Sequence, residues 1–369
     1  MTSPEQLPQT PPYVAARSQD APVAATPEAS AEAGSTYDHA LRAAPAWWRG
    51  AVAILLLVVG FLILSLVFGL LAFVIDIATG AYTLEDVANG LITLTPATML
   101  GNNLSLAALI PVSMLIQWAV FGVRPRWLSS VQGRFRWRWL GRLALIIVPV
   151  WIVYVGVSFP LSPLDPIVVD GTMIAMLAVV ILTTPLQSAG EEYGARGLIQ
   201  RSVGSWFRRP ITAFIVGTLI SGAVFASVHF AGDPWLIAYY FVFGASMSLA
   251  ARGTGGLEAP VLIHATNNVL LLIPTALMSQ TDQVFERGEG AGGPFMLLPM
   301  ALCVAAALAS TWWGRRNGIT AVAPLPPVRA RRIPVAPLPL DGAPPLHTAA
   351  PSPQDPMEPT QTPPQAPPR

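Results

Sequence analysis

Long apolar runs are the feature that most constrains how this chain can fold. A helix needs roughly 20 apolar residues to cross the hydrocarbon core of a bilayer, and the sequence holds eight runs of about that length. The chain is 53% hydrophobic and only 11% charged, which lies far outside the range of soluble domains. We therefore predict an all-α, polytopic transmembrane helix bundle of about eight spans. The predicted spans are 50–75, 104–123, 142–160, 172–190 with an extension to 205 left open, 211–230, 235–251, 258–278 and 294–313.

Two proline-rich terminal stretches contrast with the apolar runs. Residues 1–45 and 318–369 are rich in Pro and Ala with few large apolar side chains. Such segments cannot bury enough apolar surface to offset the entropy of ordering. We expect them to be disordered tails on either side of a bundle at residues 46–317, and we expect His39 and His347 to lie in those tails.

Charged residues between the predicted spans separate by sign. Arginines follow the second, fourth, sixth and eighth runs, whereas the alternate loops carry Asp and Glu with Arg287 as the one exception. The positive-inside rule then predicts that both termini are cytoplasmic, in a protein of the plasma membrane whose first partner is the lipid bilayer. The net charge of +1 gives no support for a nucleic-acid partner. The lone Cys303 excludes an intrachain disulfide.

A few strongly polar side chains remain in the membrane region, where ionisable groups are costly and mark candidate functional sites. In the stretch AGEEYGARG, Glu192 and Arg196 stand at i and i+4 and can pair. Glu191 lies about 100° round the helix and is free to face a cavity as a general base. The adjacent carboxylates can therefore have different roles.

Two further polar positions follow the same helical spacing. Phe225 and His229 lie four residues apart, as do His264 and Asn268, with Asn267 close to the same face. Each piece alone is more typical of an interfacial salt bridge or of polar contacts between helices. Together they hold nearly all the strongly polar side chains of the bundle, which favours one shared site.

These residues resemble the CPBP family of intramembrane proteases, also called the CAAX protease and bacteriocin-processing (Abi) family, which includes the type II CAAX prenyl endopeptidases. That family is marked by Glu-Glu-x-x-x-Arg, Phe-x-x-x-His and His-x-x-x-Asn on successive transmembrane helices. Here the three motifs begin at Glu191, Phe225 and His264, within residues 172–275. The resemblance implies an intramembrane endopeptidase that cleaves a membrane-associated protein or peptide, in CAAX-type or related processing.

The resemblance also implies a role for each motif residue. Glu191 would activate a water molecule with assistance from His229, while His264 and Asn268 would polarise the substrate carbonyl and stabilise the oxyanion. The second glutamate and the arginine would orient the first glutamate. The implied catalytic set is Glu191, Glu192, Arg196, His229, His264 and Asn268, with Phe225 in support.

The cofactor is left open by the sequence. Members of the family are commonly called metalloproteases, and His229 and His264 with Glu191 could hold zinc with a position open for water. The spacing is not the His-Glu-x-x-His of a single metal-binding helix, so a glutamate-activated water without a metal is supported about as well. The expectation is either Zn or no cofactor.

Two other functions stay open. A non-catalytic relative could act as an immunity or scaffold protein, since folds outlive activities, although the complete motif set argues against it. A transporter with a polar midplane site would predict an internal repeat between the two halves. The polar motifs instead all lie in the C-terminal half.

The depth of the motifs in the bilayer poses a geometric problem. The charge rule puts Glu191 near the cytoplasmic end of its helix and His229 near the outer end of the next, which separates them by most of the membrane at 1.5 Å per residue. We therefore expect either that the fourth helix continues past Arg196 to about residue 205, or that the fifth begins later than Ile211.

Overall fold

Eight helices long and apolar enough to cross a membrane make up most of the fold. The computed structural model describes residues 34–89, 93–158, 167, 169–278 and 286–329. The prediction of an all-α polytopic bundle is confirmed, and the chain is an integral membrane protein. In chain order the helices are α1 (Trp47–Thr79), α2 (Pro96–Phe121), α3 (Trp137–Ser158), α4 (Gly171–Gly204), α5 (Pro210–Ser227), α6 (Pro234–Thr254), α7 (Glu258–Leu277) and α8 (Pro294–Arg316).

Short elements connect these helices. A five-residue helix at Leu84–Ala88 is closed by a capping box from Thr83, and 3-10 turns lie at Tyr37–Ala43 and Pro125–Leu128. Strands β1 (Ser35–Thr36) and β2 (Val322–Ala323) pair antiparallel. The strands are the first and last regular elements of the described chain, so the pair joins its two ends.

Helix α1 is apolar around its whole circumference. Leu62 and Leu66 are 59% and 63% exposed in the isolated chain, and few residues of α1 are buried. An apolar surface of this size belongs in hydrocarbon, because a helix satisfies its own backbone hydrogen bonds there. Helix α1 therefore lies at the lipid-facing edge of the bundle.

Helix α4 is the longest of the described helices and is continuous over 34 residues. Asp170 caps its start by accepting a hydrogen bond from the Met173 amide at 2.7 Å. Its regular α-helix ends at Glu192, a π-helical segment covers Tyr193–Gln200, and a last α-turn reaches Gly204. The prediction that the fourth helix continues past Arg196 is confirmed. At 1.5 Å per residue, Glu191 lies about 20 Å from the end of the helix.

Helix α4 sits between α2 and α7, and Gly190 sets its distance from α2. A Cβ atom at Gly190 would lie 1.8 Å from the carbonyl oxygen of Leu106 and 3.1 Å from Cα of Ala107. Only a residue without a side chain permits this backbone approach. Close packing of the two helices therefore requires glycine at position 190, immediately before the two glutamates.

The ends of the described chain form a structure that we call the terminal clasp, comprising residues 34–44 and 319–329. Tyr37 donates its hydroxyl hydrogen to the carbonyl of Leu128, and the buried Asp38 pairs with Arg252 at 2.7 Å. Burial raises the pKa of Asp38, and Arg252 opposes that shift. On the C-terminal side, the amide of Arg329 donates to the carbonyl of Gly122 at 2.9 Å.

The terminal clasp consists of residues that were predicted to belong to the two tails. The described structure includes Tyr37 and Leu41, both fully buried, and on the other side it includes residues 318–329, which were predicted to belong to the tail. These two large apolar side chains have little effect on the average composition of residues 1–45, so composition did not predict their burial. His39 is likewise buried, with a ring nitrogen 2.9 Å from the carbonyl of Phe207. The tails predicted at 1–33 and 330–369, with His347, lie outside the described residues.

Candidate active site

A buried ionic cluster joins helices α4 and α7. Oε1 of Glu192 accepts hydrogen bonds from Nη1 of Arg196 at 3.1 Å and from Nδ1 of His264 at 2.8 Å. Glu192 and Arg196 are completely buried, and His264 is 2% exposed. A buried carboxylate is tolerated when it is paired and hydrogen-bonded in this way. Glu192 thus anchors both the arginine of its own helix and the histidine of the neighbouring one.

Glu191 is held by one carboxylate oxygen and leaves the other available. Nε2 of Gln187 donates to Oε1 at 2.5 Å, whereas Oε2 lies 3.5 Å from Nε2 of His264. Within the described part of the chain, Oε2 has no hydrogen-bond partner. The side chain is 16% exposed. An oriented carboxylate with one buried oxygen that lacks a hydrogen-bond partner can accept a hydrogen bond from a water molecule that enters the site.

The two ring nitrogens of His264 face the two adjacent glutamates. Nδ1 must donate to Glu192, because a carboxylate paired with arginine is an acceptor. Neutral His264 then presents the lone pair of Nε2 towards Oε2 of Glu191. Only a proton between these two atoms makes the contact favourable, carried either on the carboxyl or on the imidazole. Oε2 of Glu191 and Nε2 of His264 thus lie within ion-pair distance, and the ion pair forms only when the imidazole is protonated.

The two neighbouring asparagines face different helices. Nδ2 of Asn268 lies 3.4 Å from Oε1 of Gln187, one helical turn from Glu191. Oδ1 of Asn267 instead accepts from Nε1 of the buried Trp151 at 3.2 Å. Asn268 therefore lies on the side of the carboxylates, as the His-x-x-x-Asn spacing favours, and Asn267 contributes to packing against α3.

Phe225 lies between the two motif histidines. Its ring centroid is 4.6 Å from that of His229 and 5.8 Å from that of His264. The guanidinium of Arg196 lies 4.5 Å from the same ring, in cation–π contact. The Phe225 ring thus contacts every cationic or imidazole group of the cluster.

His229 presents one defined nitrogen. Nδ1 lies 2.6 Å from the carbonyl of Phe225, and since a carbonyl can only accept, Nδ1 carries the hydrogen and Nε2 keeps the lone pair. Among the described residues, no hydrogen bond or ion pair joins His229 to Glu191. His264 makes the contact with Glu191 that the resemblance implied for His229, which instead borders the cluster across the Phe225 ring.

The candidate zinc ligands do not converge in this arrangement. Within the described ranges, no three His, Cys, Asp or Glu side chains are grouped so that they could hold a metal ion. The Phe225 ring separates His229 from His264, and the nitrogen of His264 that faces Glu191 already lies against its carboxylate. As placed, Glu191, His229 and His264 therefore do not fit a zinc site.

Three supporting residues were not identified from the sequence. Gln187 holds Glu191 from one turn earlier, and its i−4 spacing was a signal that could have found it. Trp151 binds Asn267 from α3, and Tyr240 on α6 stacks on the His229 ring with centroids 3.9 Å apart. No local pattern marks the last two, because their partners are distant in sequence.

The fold and site define a class: an integral membrane helix bundle with a Glu, Arg, His and Asn cluster on α4 and α7, largely buried, and a second histidine just beyond the end of α5. Residues 171–270 match the family model "Type II CAAX prenyl endopeptidase Rce1-like". This range contains all three motifs, so the resemblance to CPBP-family membrane proteases is confirmed for the segment that carries the cluster.

Two curated proteins are similar to parts of the chain. "Uncharacterized protein YyaK" of Bacillus subtilis (strain 168) is 31% identical over 102 residues, which cover 26% of this chain and 33% of the relative. "Membrane-embedded CAAX protease MroQ" of Staphylococcus aureus (strain USA300) is 37% identical over 78 residues, which cover 20% of this chain and 31% of the relative. The similarity thus spans about a third of each relative. No solved structure matches the chain significantly.

Proposed function

We propose that this chain is an intramembrane endopeptidase that cleaves a membrane-associated protein or peptide in CAAX-type processing. The observation that carries the proposal is the environment of the Glu191 carboxylate. Its Oε1 accepts a hydrogen bond from Gln187, whereas its Oε2 has no hydrogen-bond partner among the described residues and lies 3.5 Å from Nε2 of His264. The family match over the same residues and the printed name of the Staphylococcus relative support the substrate class.

The proposed reaction uses a water molecule and this chain's own side chains. Glu191 takes a proton from the water, whose oxygen attacks the carbonyl carbon of the scissile peptide bond. Asn268 donates to the oxyanion that develops, because its amide lies on the carboxylate side of α7. When the C–N bond breaks, the Glu191 carboxyl passes its proton to the departing nitrogen. The products are a carboxylic acid and an amine, between which a proton then transfers to give a carboxylate and an ammonium group, and the glutamate returns to its starting form.

Three further residues support Glu191 in the proposed mechanism without contacting the scissile bond in the first step. They are Glu192, Arg196 and His264. Glu192 fixes the ring of His264 through Nδ1, and Arg196 balances the charge of two adjacent carboxylates. His264 can then hold or release a proton on Nε2 beside Glu191 as the charge on the carboxylate changes. His229 is proposed to assist from across Phe225, through its free Nε2.

We also propose that the terminal clasp lies on the cytoplasmic side of the plasma membrane. The arginine-rich segment between α2 and α3 contacts the clasp, because Nη1 of Arg136 donates to the carbonyl of Thr320 at 3.2 Å. Arg252, at the end of α6, pairs with Asp38 of the clasp. The positive-inside rule assigns that end to the cytoplasm. Labelling of cysteines introduced at each end of the helices in intact cells tests this orientation.

The experiment that tests the function is peptide cleavage by the purified protein in lipid nanodiscs. A library of membrane-associated peptides, including prenylated CAAX-type tails, is incubated with the wild type and with Glu191→Gln, and the new termini are read by mass spectrometry. Cleavage by the wild type alone supports the endopeptidase. A protein that binds a library member but never cleaves one would instead be the scaffold of the alternative hypothesis.

A chelator is expected to leave the cleavage rate unchanged, because the candidate zinc ligands Glu191, His229 and His264 do not converge. The measurement compares initial rates after dialysis against a strong chelator with rates after dialysis against buffer. Inactivation that added zinc reverses would contradict this prediction and would require Phe225 to move from between the histidines.

The two asparagines are expected to respond differently to alanine substitution. Asn268→Ala should lower kcat roughly 10²- to 10³-fold, as loss of one oxyanion donor does, with little change in melting temperature. Asn267→Ala leaves Nε1 of Trp151 unpaired and should lower the free energy of unfolding by about 1–3 kcal/mol, while the folded fraction stays active. Cleavage kinetics and thermal unfolding of both variants check this, and equal losses of kcat would contradict it.

A further inference from the structure

Arg287 breaks the charge pattern of the chain. It is the one arginine in the loops that otherwise carry acidic residues, and its described neighbours include Glu286 and Glu289. A cation on that side opposes the positive-inside distribution. The motifs and the proposed reaction give it no role, so its contacts in the structure are the only source of an explanation.

Arg287 binds the end of the segment that carries His229. Its Nη1 donates to the carbonyl oxygen of His229 at 2.7 Å, and its own carbonyl accepts from the amide of Gly232 at 2.7 Å. The carbonyls at the C-terminal end of a helix lack partners within the helix. Arg287 provides a charged donor just past this helix end, to the carbonyl of His229, which lies two residues beyond the last helical residue, Ser227.

The loop that carries Arg287 is attached at a second point. Oδ2 of Asp233 accepts from the amide of Gly290 at 3.0 Å, while Oδ1 of the same carboxylate accepts from the amide of Trp235 at 2.8 Å and so caps α6. The loop is thus tied both to the end of α5 and to the start of α6. These ties keep Arg287 over the connection between the two helices.

Arg287 also contacts the aromatic ring that stacks on His229. Its guanidinium lies 5.7 Å from the ring centroid of Tyr240, and Tyr240 stacks on the imidazole at 3.9 Å with an interplanar angle of 26°. The imidazole is therefore enclosed between its bond to the Phe225 carbonyl and the Tyr240 ring. Arg287 acts on both the backbone and the stacked face of His229.

The backbone immediately after His229 requires such support. Phe230 has a φ of 51°, a left-handed conformation that is uncommon for residues other than glycine. Its side chain is 87% exposed, so packing of that side chain does not hold the conformation. The bond from Arg287 to the preceding carbonyl fixes the peptide unit at which the chain turns.

We propose that Arg287 is a positioning residue for His229: it fixes the His229 carbonyl and, through Tyr240, the plane of the imidazole, so that Nε2 faces the catalytic cluster. The proposal rests on the proposed function, since it concerns a histidine of that site. A charged donor aimed at this carbonyl also explains why an arginine stands in an otherwise acidic loop.

The test compares three variants in the nanodisc cleavage assay. Arg287→Met removes the donor and the charge at similar length, and we expect kcat to fall roughly 10- to 100-fold, as small misplacements of catalytic groups do, with KM near the wild-type value. Arg287→Lys keeps a donor for the carbonyl and should recover most of kcat. Glu289→Gln, an exposed position in the same loop, is the matched control and should cleave as the wild type does.

A second readout does not depend on cleavage. In the Glu191→Gln background, the imidazole ¹⁵N resonances of His229 should report hydrogen on Nδ1, and adding Arg287→Met should change them, whereas adding Glu289→Gln should not. If Arg287→Met fails to fold, Tyr240→Leu, which removes the stacked ring and leaves the loop bonds intact, should show the same fall in kcat and the same change in resonances.

The outcomes separate this proposal from the proposed function. Arg287→Met with the kcat of Glu289→Gln, or unchanged His229 resonances, overturns the positioning role while the endopeptidase stands. Failure of the lysine variant to recover kcat also overturns it. Cleavage by Glu191→Gln overturns the proposed function, and the resonances then still decide whether Arg287 positions His229.

Discussion

Glu191→Gln should lower kcat roughly 10²- to 10⁴-fold, the usual contribution of a general base. The amide has nearly the same shape as the carboxylate, so Nε2 of Gln187 still has an oxygen to which it can donate. The amide of the introduced glutamine cannot accept a proton from water at neutral pH. His264 then no longer faces a carboxyl group that can ionise. Rates of peptide cleavage in nanodiscs, with yield and melting temperature of each protein, measure the effect.

The matched control for this variant is Glu289→Gln. It makes the same chemical change on an exposed loop carboxylate and should leave cleavage at the wild-type rate. Wild-type activity in Glu191→Gln would remove Glu191 from the proposed reaction. If the melting temperature of Glu191→Gln fell so far that the unfolded fraction at the assay temperature accounted for its loss of activity, the catalytic role would also be contradicted, because the loss would then come from unfolding.

Gly190→Ala should prevent the bundle from packing normally. The new Cβ would lie 1.8 Å from the carbonyl oxygen of Leu106, and both groups belong to helix backbones that cannot rotate away. Overpacking of this kind costs about 3 kcal/mol or more, which is a large part of the stability of a typical domain. Helix α4 would have to move away from α2 and would carry Glu191 with it.

Gly194→Ala is the control for the substitution at Gly190. It makes the same change one turn later on α4, where the nearest atom to a new Cβ is Cδ2 of Leu57 at 3.7 Å. Since alanine favours helix over glycine by about 1 kcal/mol, this variant should be as stable as the wild type or slightly more so. Thermal unfolding in one detergent compares the three proteins, and equal melting temperatures for Gly190→Ala and the wild type would contradict the prediction.

The number of helices followed from the sequence because bilayer thickness fixes a local length. A run of apolar residues has one stable arrangement in hydrocarbon, so the spans did not depend on contacts with the rest of the chain. The continuation of α4 past Arg196 was one of two alternatives, and it followed from the depths that the charge pattern gave Glu191 and His229. The pairing of Glu192 with Arg196 is also local, since both stand on one helix at i and i+4.

Contacts between distant residues could not be predicted in this way. Helical spacing placed His229 and His264 on defined faces but gave no ring orientation, and so it did not show that the Phe225 ring lies between them. The burial of Tyr37 depends on Leu128 and Arg201, far along the chain. Composition averaged over a proline-rich segment carries no information about such partners.

The terminal clasp imposes an order on the biosynthesis of the protein. Ser35 leaves the ribosome early, but its strand partner Ala323 is made only after all eight helices. The acidic Asp38 likewise has no partner until Arg252 at the end of α6 has been synthesised. The segment that contains Ser35 and Asp38 can therefore complete its contacts only after the chain has been translated through its eighth helix.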